Sequence, residues 1–294
     1  MSNAPLIAGL ELGGTKCVAL LARGPDDVVD RRTIRTADPD TTLGELEAVL
    51  AGWHFDAVGI ASFGPLELNR GSPDFGSITA TTKPGWTGTD LAHRIAALAG
   101  KPLAIQTDVN GAALAEARWG AAQGLSAHAY ITIGTGVGVG MVSGGRPVQG
   151  IAHGEAGHMR VARMRGDTYP GWCPFHGDCI EGLIAGPALA ERFGCKGEEL
   201  PADGPQWDLF VHDLAGLLHN LVVALAPERI AIGGGVMSAR EQLFVPLRAR
   251  LAASIGGYGS FSGLDMDRLV GPPGLGAMAG PMGAIAMGLE ALGA

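Results

Sequence analysis

Two cysteines and two histidines lie close together in the sequence, with spacings typical of a metal site. Cys173, His176 and Cys179 follow one another at three-residue intervals, so their side chains can converge on one point. His158 is the expected fourth ligand, and His153 is an alternative that the spacing leaves open. Two cysteines and two histidines close a tetrahedral zinc shell and leave no position for a catalytic water, so we expect a structural zinc ion.

Two glutamates accompany these metal-site residues. Glu155 lies three residues before His158, and Glu181 lies two residues after Cys179. If the turn at 155–158 is helical, Glu155 and His158 share a face, and the ring of His158 can bind zinc through one nitrogen and a ligand through the other. We therefore expect a rigid, acidic frame that binds a ligand rich in hydroxyl groups.

Two glycine turns repeat one plan along the chain. Residues 6–23 and 129–146 each predict a strand, a glycine turn and a second strand. Neither turn fits the Walker or the dinucleotide pattern, because a strand rather than a helix follows. One such turn alone is more often an ordinary hairpin, but two together favour backbone amides that bind a triphosphate, with the hydroxyls of Thr15 and Thr135 as further donors. A third glycine cluster, 233–235, could admit the flat face of a nucleoside.

Asp108 stands at the end of a predicted strand and directly before a predicted helix. It could cap that helix. It could also act as a general base, because phosphoryl transfer needs a positioned carboxylate that takes the proton of the acceptor hydroxyl. Position alone leaves both roles open.

Composition excludes several classes of protein. The 294 residues are 47% hydrophobic and 17% charged, so the chain can bury a large core and disorder is not expected. A net charge of −8 without clustered lysines and arginines argues against nucleic acid and anionic membranes as partners. The N-terminus lacks a leader pattern, and we expect a cytoplasmic protein. Cys17 and Cys195 are interpreted as buried thiols.

Strands and helices alternate on both sides of residue 120, which predicts two α/β domains. We place the first domain at 1–119, completed by a closing helix at 279–294. The second domain, 120–278, contains the zinc loop. Each domain opens with a glycine hairpin, and we expect a nucleotide to bind in the cleft between them.

Taken together, these motifs resemble the ROK sugar kinases, and within them the bacterial fructokinase branch. The resemblance rests on LELGGTK, TDVNGAALAE, ITIGTGVG and HGEAGH with CPFHGDCIEG, and it covers nearly the whole chain. It implies a two-domain, actin-like (RNase H-like) ATPase fold with a structural zinc loop. It also implies ATP with Mg²⁺, phosphoryl transfer to a hexose hydroxyl, and a homodimer.

The resemblance also assigns residues to roles. Asp108 would be the catalytic base, and Glu155, His158 and Glu181 would bind sugar hydroxyls. Further sugar-site residues would be Gly64, Gly85 and Asn110. The residues that would face ATP are Gly13, Gly14, Thr15, Lys16, Gly134, Thr135, Gly136, Pro187, Gly233, Gly234, Gly235, Val236 and Met237.

Three departures from the wider family narrow the expected substrate. Many ROK kinases have Asp at Glu11, Asn at Thr107 and a CxCGxxGC loop in place of CPFHGDC, and the residues found here are similar to the fructokinase branch. We therefore expect phosphorylation of fructose to fructose 6-phosphate, with mannose, glucose or an N-acetylhexosamine as alternatives. A protein of another class, a sugar-responsive regulator without catalysis, is the competing hypothesis.

Overall fold

The computed structural model describes residues 4–293. They form two compact units. The first unit comprises the described residues up to Gln123, the segment Arg146–Gly154 and the residues from Ala277 onward. The second unit comprises Gly124–Gly145 and Glu155–Gly276.

A five-stranded mixed sheet forms the centre of the first unit. Its strands are β1 (Ile7–Leu12), β2 (Lys16–Gly24), β3 (Asp27–Arg35), β4 (Ala57–Ser62) and β5 (Leu103–Thr107), in the order β3-β2-β1-β4-β5. β1 and β2 form the predicted antiparallel hairpin, whereas β1, β4 and β5 run parallel. Leu12, Ser62 and Thr107 are in register, so the segments that follow them all leave from one edge of the sheet. In parallel sheets, ligands usually bind at this carboxyl edge.

The α-helices that accompany this sheet in the described part of the unit are α1 (Pro39–Ala51), α2 (Ala92–Ala99), α3 (Asp108–Trp119) and α10 (Ala279–Ala291). α10 is rich in small residues because it packs almost directly on the backbone of β4. A Cβ atom at Gly59 of β4 would lie 1.9 Å from the carbonyl oxygen of Ala284, so only glycine fits there. The predicted closing helix was extended to residue 294, which lies outside the described residues; in the structure α10 ends at Ala291.

The second unit also contains a mixed sheet that begins with an antiparallel hairpin. β6 (Ala127–Ile133) and β7 (Val137–Ser143) form the second predicted antiparallel hairpin, and β9 (Arg229–Gly233) runs parallel to β6 with the short β10 (Val270–Gly271) beyond it. After β7 the chain forms the short β8 (Arg146–Pro147). The prediction of an α/β protein with two glycine-turn hairpins is confirmed.

The helices of the second unit are α4 (Ile180–Ile184), α5 (Gly186–Phe193), α6 (Gln206–Leu225), α7 (Gly235–Ser238), α8 (Phe244–Ile255) and α9 (Met266–Leu269). α6 carries apolar residues at helical spacing from Trp207 to Val222, and this stripe packs in the core. Within the described residues, α6 alone has the length and apolar composition of a membrane span. Half of its most apolar window is buried inside the protein, as in a core helix.

Pro246 lies in the first turn of α8, where the N–H that proline lacks would have no hydrogen-bond partner within the helix, so the helix continues through it. One expectation about the cysteines outside the metal cluster was wrong. Cys195 is only partly buried, whereas Cys17 is fully buried as expected.

Candidate functional site

Asp108 lies at the carboxyl edge of the parallel strands, as the first residue of α3. The cap of α3 is the preceding Thr107, whose side chain accepts a hydrogen bond from the amide of Asn110, so the capping interpretation of Asp108 was wrong. Burial raises the pKa of Asp108, although the Val109 amide and the charge of His153 partly offset this effect. A carboxylate of raised pKa at this edge is suited to accept a proton.

His153 contacts the segment that follows β4. Its Nε2 accepts a hydrogen bond of 3.0 Å from the amide of Leu66, and the side chain is 7% exposed. Gly64 lies against the same ring, since a Cβ atom there would be 3.6 Å from Nε2. The predicted sugar-site residue Gly64 therefore lies beside His153, and His153 itself is electrostatically coupled to Asp108.

Two other predicted sugar-site residues belong to the first unit. Asn110 is buried, and its Nδ2 donates to Oε1 of Gln106 at 3.0 Å. Gly85 adopts a left-handed conformation, with φ of 82°, directly before the fully buried Trp86. The indole nitrogen of Trp86 donates to the carbonyl of Ala37 at 3.0 Å and thereby anchors this loop.

The turn between β1 and β2 contains Gly13, Gly14, Thr15 and Lys16. The amide of Gly13 donates to the carbonyl of Lys16 across the turn at 3.0 Å. Lys83 donates to the carbonyl of Gly14 at 2.7 Å, which places a cation at the tip. Gly14, Thr15 and Lys16 are exposed, as a turn that receives an anionic ligand requires.

The turn between β6 and β7 contains Gly134, Thr135 and Gly136. Gly134 donates to Gly136 at 2.9 Å, and the carbonyl of Gly134 accepts from the amide of Gly186 at 2.7 Å. The Glu181 carboxylate accepts from the amide of Val137, just after the turn, at 3.1 Å. This turn is therefore tied to the start of α5 and to Glu181.

A cavity of about 300 Å³ opens beside this second turn. Its lining residues are Gly134, Thr135, Gly186, Pro187, Lys196, Gly197, Glu198, Trp207, Gly235, Val236, Ala239 and Arg240. Five of them were predicted to face a nucleotide: Gly134, Thr135, Pro187, Gly235 and Val236. Gly136, Gly233, Gly234 and Met237 were predicted as well but are not among the lining residues, and Met237 is buried.

One wall of this cavity contains a cation–π pair that the sequence did not reveal. The guanidinium carbon of Arg240 lies 5.1 Å from the ring centroid of Trp207, and Arg240 donates to the carbonyl of Gly197 at 2.9 Å. Aromatic rings and guanidinium planes provide stacking surfaces for nucleobases. Trp207 is one of several apolar positions of α6, and Lys196, Glu198 and Arg240 lie in segments without a motif.

The four predicted metal ligands come together in the second unit. The ligand atoms of His158, Cys173, His176 and Cys179 all lie within 4.8 Å of one another. Nδ1 of His158 is 3.4 Å from Sγ of Cys179 and 3.7 Å from Sγ of Cys173. Burial first, and then the adjacent Cys173 thiol, raise the pKa of Cys179 to about 12. A divalent cation at the same point would instead stabilise the thiolates, so the donor set fits a thiol-binding metal.

His158 rather than His153 belongs to this cluster. It ends a 3₁₀ turn (Ala156–His158) that begins after Glu155, and its amide donates to the carbonyl of Glu155 at 2.9 Å. Since Nδ1 of His158 faces the two sulfurs, Nε2 is the nitrogen left for another partner. Glu155 and His158 therefore lie at the two ends of one tight turn, as the spacing predicts.

Comparison with known proteins gives a consistent result. Residues 7–290 match the model of the ROK family. A fructokinase from Pediococcus pentosaceus is 40% identical over 287 residues, which cover 98% of this chain and 99% of that protein. A fructokinase from Zymomonas mobilis is 39% identical over 301 residues, with 99% of each chain covered. The crystal structure of a ROK hexokinase from Thermus thermophilus superimposes with a TM-score of 0.78 at 27% identity and covers 98% of this chain and 99% of its own.

Proposed function

This chain belongs to the ROK family, and from that premise we propose that it is an ATP-dependent sugar kinase that phosphorylates fructose to fructose 6-phosphate. The relatives named fructokinase support this substrate, since they are about 40% identical over nearly their full length. The observation that carries the chemistry is Asp108, a carboxylate of raised pKa at the carboxyl edge of β1, β4 and β5.

In the proposed reaction, Asp108 accepts the proton of the primary hydroxyl as that oxygen bonds to the γ-phosphorus of ATP. The bond between the γ-phosphorus and the bridging oxygen breaks, and ADP leaves with the electron pair. The raised pKa favours this transfer, because a more basic carboxylate accepts a proton more readily. Mg²⁺ bound to the nucleotide phosphates would neutralise charge on them.

We assign the nucleotide to two groups of residues. In the second unit, the cavity beside Trp207 and Arg240 offers a stacking wall for the base, and the turn with Gly134 and Thr135 offers donors. In the first unit, the exposed turn from Gly13 to Lys16 is assigned to the phosphates. The further predicted ATP residues Gly136, Gly233, Gly234 and Met237 are assigned to shaping the backbone around these turns.

The sugar is assigned to Gly64, Gly85 and Asn110 of the first unit and to Glu155, His158 and Glu181 of the second. Glutamate and imidazole groups bind sugar hydroxyls well, because they offer acceptors and donors in fixed directions. The cluster His158, Cys173, His176 and Cys179 is proposed to hold a structural Zn²⁺, which would keep His158 in place next to Glu155.

Other parts of the proposal rest on the family resemblance. We propose an actin-like arrangement of two domains with the bounds of the two units described above, and a homodimer. We also propose a cytoplasmic location, with sugar and nucleotide rather than nucleic acid or membrane as partners.

The test is ADP release, measured in a coupled assay with a panel of hexoses and with Asp108→Asn. We expect fructose to give the highest kcat/KM, and we expect D108N to lower kcat about 10²- to 10⁴-fold while fructose still binds. The matched control is Asp26→Asn, an exposed aspartate of the first unit, which should leave kcat unchanged.

Three results would contradict or correct the proposal. Normal turnover in D108N would exclude Asp108 as the base. Sugar binding without ADP release in the wild-type protein would favour the regulatory hypothesis, and a preference for mannose, glucose or an N-acetylhexosamine would correct the substrate.

A further inference from the structure

The segment Arg146–Gly154 is placed in the first unit although the chain on both sides of it belongs to the second. Two hydrogen bonds hold it to the segment after β4. His153 accepts from the amide of Leu66 at 3.0 Å, and Gln149 donates to the carbonyl of Leu68 at 3.2 Å. Gln149 and His153 themselves pair across a tight turn. The segment is thus a short clip on residues 64–68.

The clip holds residues near the edge of the sheet that carries Asp108, the proposed base. Residues 64–68 begin where β4 ends, at the edge of the sheet from which Asp108 also leaves. Leu66 is buried, so its amide needs a protein partner, and that partner is the imidazole of His153. Removing the acceptor would leave a buried N–H unsatisfied, and residues 64–66 would move to find another partner.

The protonation state of His153 follows from the same contact. Because Nε2 accepts a hydrogen bond, it carries no proton, and the neutral ring carries its proton on Nδ1. Burial lowers the pKa of His153, which agrees with a neutral ring. The ring therefore serves as a fixed acceptor for Leu66 beside Asp108.

From this geometry we infer that His153 is a positioning residue for the sugar acceptor: its Nε2 fixes residues 64–66 beside Asp108 and thereby sets the affinity for the sugar. The inference rests on the proposed function, since it assigns residues 64–66 to the sugar. His153 is not assigned any direct contact with the reacting atoms.

A matched pair of substitutions tests the inference. Gln and Met have similar volumes, but only Gln carries an acceptor, Oε1, near the position of Nε2. We expect His153→Met to raise the KM for fructose about tenfold, with a much smaller change in kcat and no change in the KM for ATP. His153→Gln should restore the fructose KM to within about threefold of wild type. The control His54→Met, at an exposed histidine of the first unit, should behave as wild type.

Hydrogen–deuterium exchange at the Leu66 amide gives a readout that does not depend on turnover. We expect exchange to be slow in wild type and H153Q and faster in H153M. If H153M does not fold, His153→Asn replaces it, because the shorter Asn side chain is polar but does not reach Leu66.

Three outcomes would overturn the inference. Equal fructose KM values for the Gln and Met variants would show that the acceptor is irrelevant. An equal rise in the KM for ATP, or unchanged Leu66 exchange in H153M, would show that His153 does not act through this segment. If wild type prefers another hexose, the proposed substrate fails separately, and the same contrast is measured with that hexose.

Discussion

Glu11 offers a sharp test of the electrostatics of the first unit. It lies near the end of β1 and packs against α10, since a Cβ atom at Gly280 would be 1.9 Å from its Oε1. Burial first, and then the charge of Asp108, raise the pKa of Glu11 from its ordinary value of 4.5 to about 7, although Lys16 and Arg31 partly offset the rise. The ionised form is therefore disfavoured in the folded protein.

The sign of the effect on stability follows from proton linkage. Because the pKa of this acid is raised on folding, the folded state binds more protons than the unfolded state between pH 4.5 and about 7. The contribution of Glu11 to stability therefore falls as pH rises through this window. A shift from 4.5 to about 7 corresponds to at most about 3 kcal/mol.

Glu11→Gln removes the ionisation and keeps the shape. In urea denaturation followed by tryptophan fluorescence without nucleotide, E11Q should gain stability over wild type as pH rises. We expect the gain to be about 2 kcal/mol larger at pH 8 than at pH 5. Glu45→Gln, at an exposed glutamate of α1, should show no such pH dependence.

Asp108 provides a second check on the same reasoning. In an Asp108→Asn background, one cause of the raised pKa of Glu11 is gone, so the gain from E11Q at pH 8 should shrink. A gain that is independent of pH, or that is larger at pH 5, would refute the assignment of a pKa near 7 to Glu11.

Two further predictions concern the second unit. Arg192 is 4% exposed and donates to Asp167 at 2.6 Å and to the fully buried Asp213 at 3.0 Å, so Arg192→Met should lower the free energy of unfolding by about 3–5 kcal/mol. The exposed control Arg165→Met should change it little, and an unfolding midpoint for R192M equal to that of wild type would contradict the role of the ion pair. Removal of metal by a chelator should lower the thermal midpoint by more than about 5 °C, because structural zinc contributes folding free energy directly. The Cys173→Ser/Cys179→Ser variant should not respond to the chelator, and an equal response would place the metal elsewhere.

The parts of the fold that depend on local sequence could be predicted. The hairpins β1–β2 and β6–β7 follow from apolar runs around glycine turns, and α6 follows from its helical spacing. The metal cluster could also be predicted, because three of its ligands lie within seven residues of one another. In these cases the interacting residues are close in sequence, so spacing carries the geometry.

Features that depend on distant contacts could not be predicted. The stack of Arg240 on Trp207 joins residues far apart in sequence, and neither belongs to a motif. Similarly, nothing in the sequence around His153 indicates that its partner is the amide of Leu66, 87 positions away. The cap of α3 could not be assigned from the sequence, because Thr107 and Asp108 are both good caps by residue type and the backbone conformation of Thr107 decides between them.

Three ionisable groups lie near the carboxyl edge of β1, β4 and β5, where burial destabilises their charged forms. Burial raises the pKa of Glu11 and Asp108 and lowers that of His153, so each group disfavours its charged form in the fold. A core selected for stability alone would hold apolar residues at these positions, whereas here two carboxyls and an imidazole meet at one edge of the sheet. A cost of this kind is common where side chains must bind polar ligands or transfer protons. The energetic penalty at this edge thus supports the proposal that Asp108 accepts the proton.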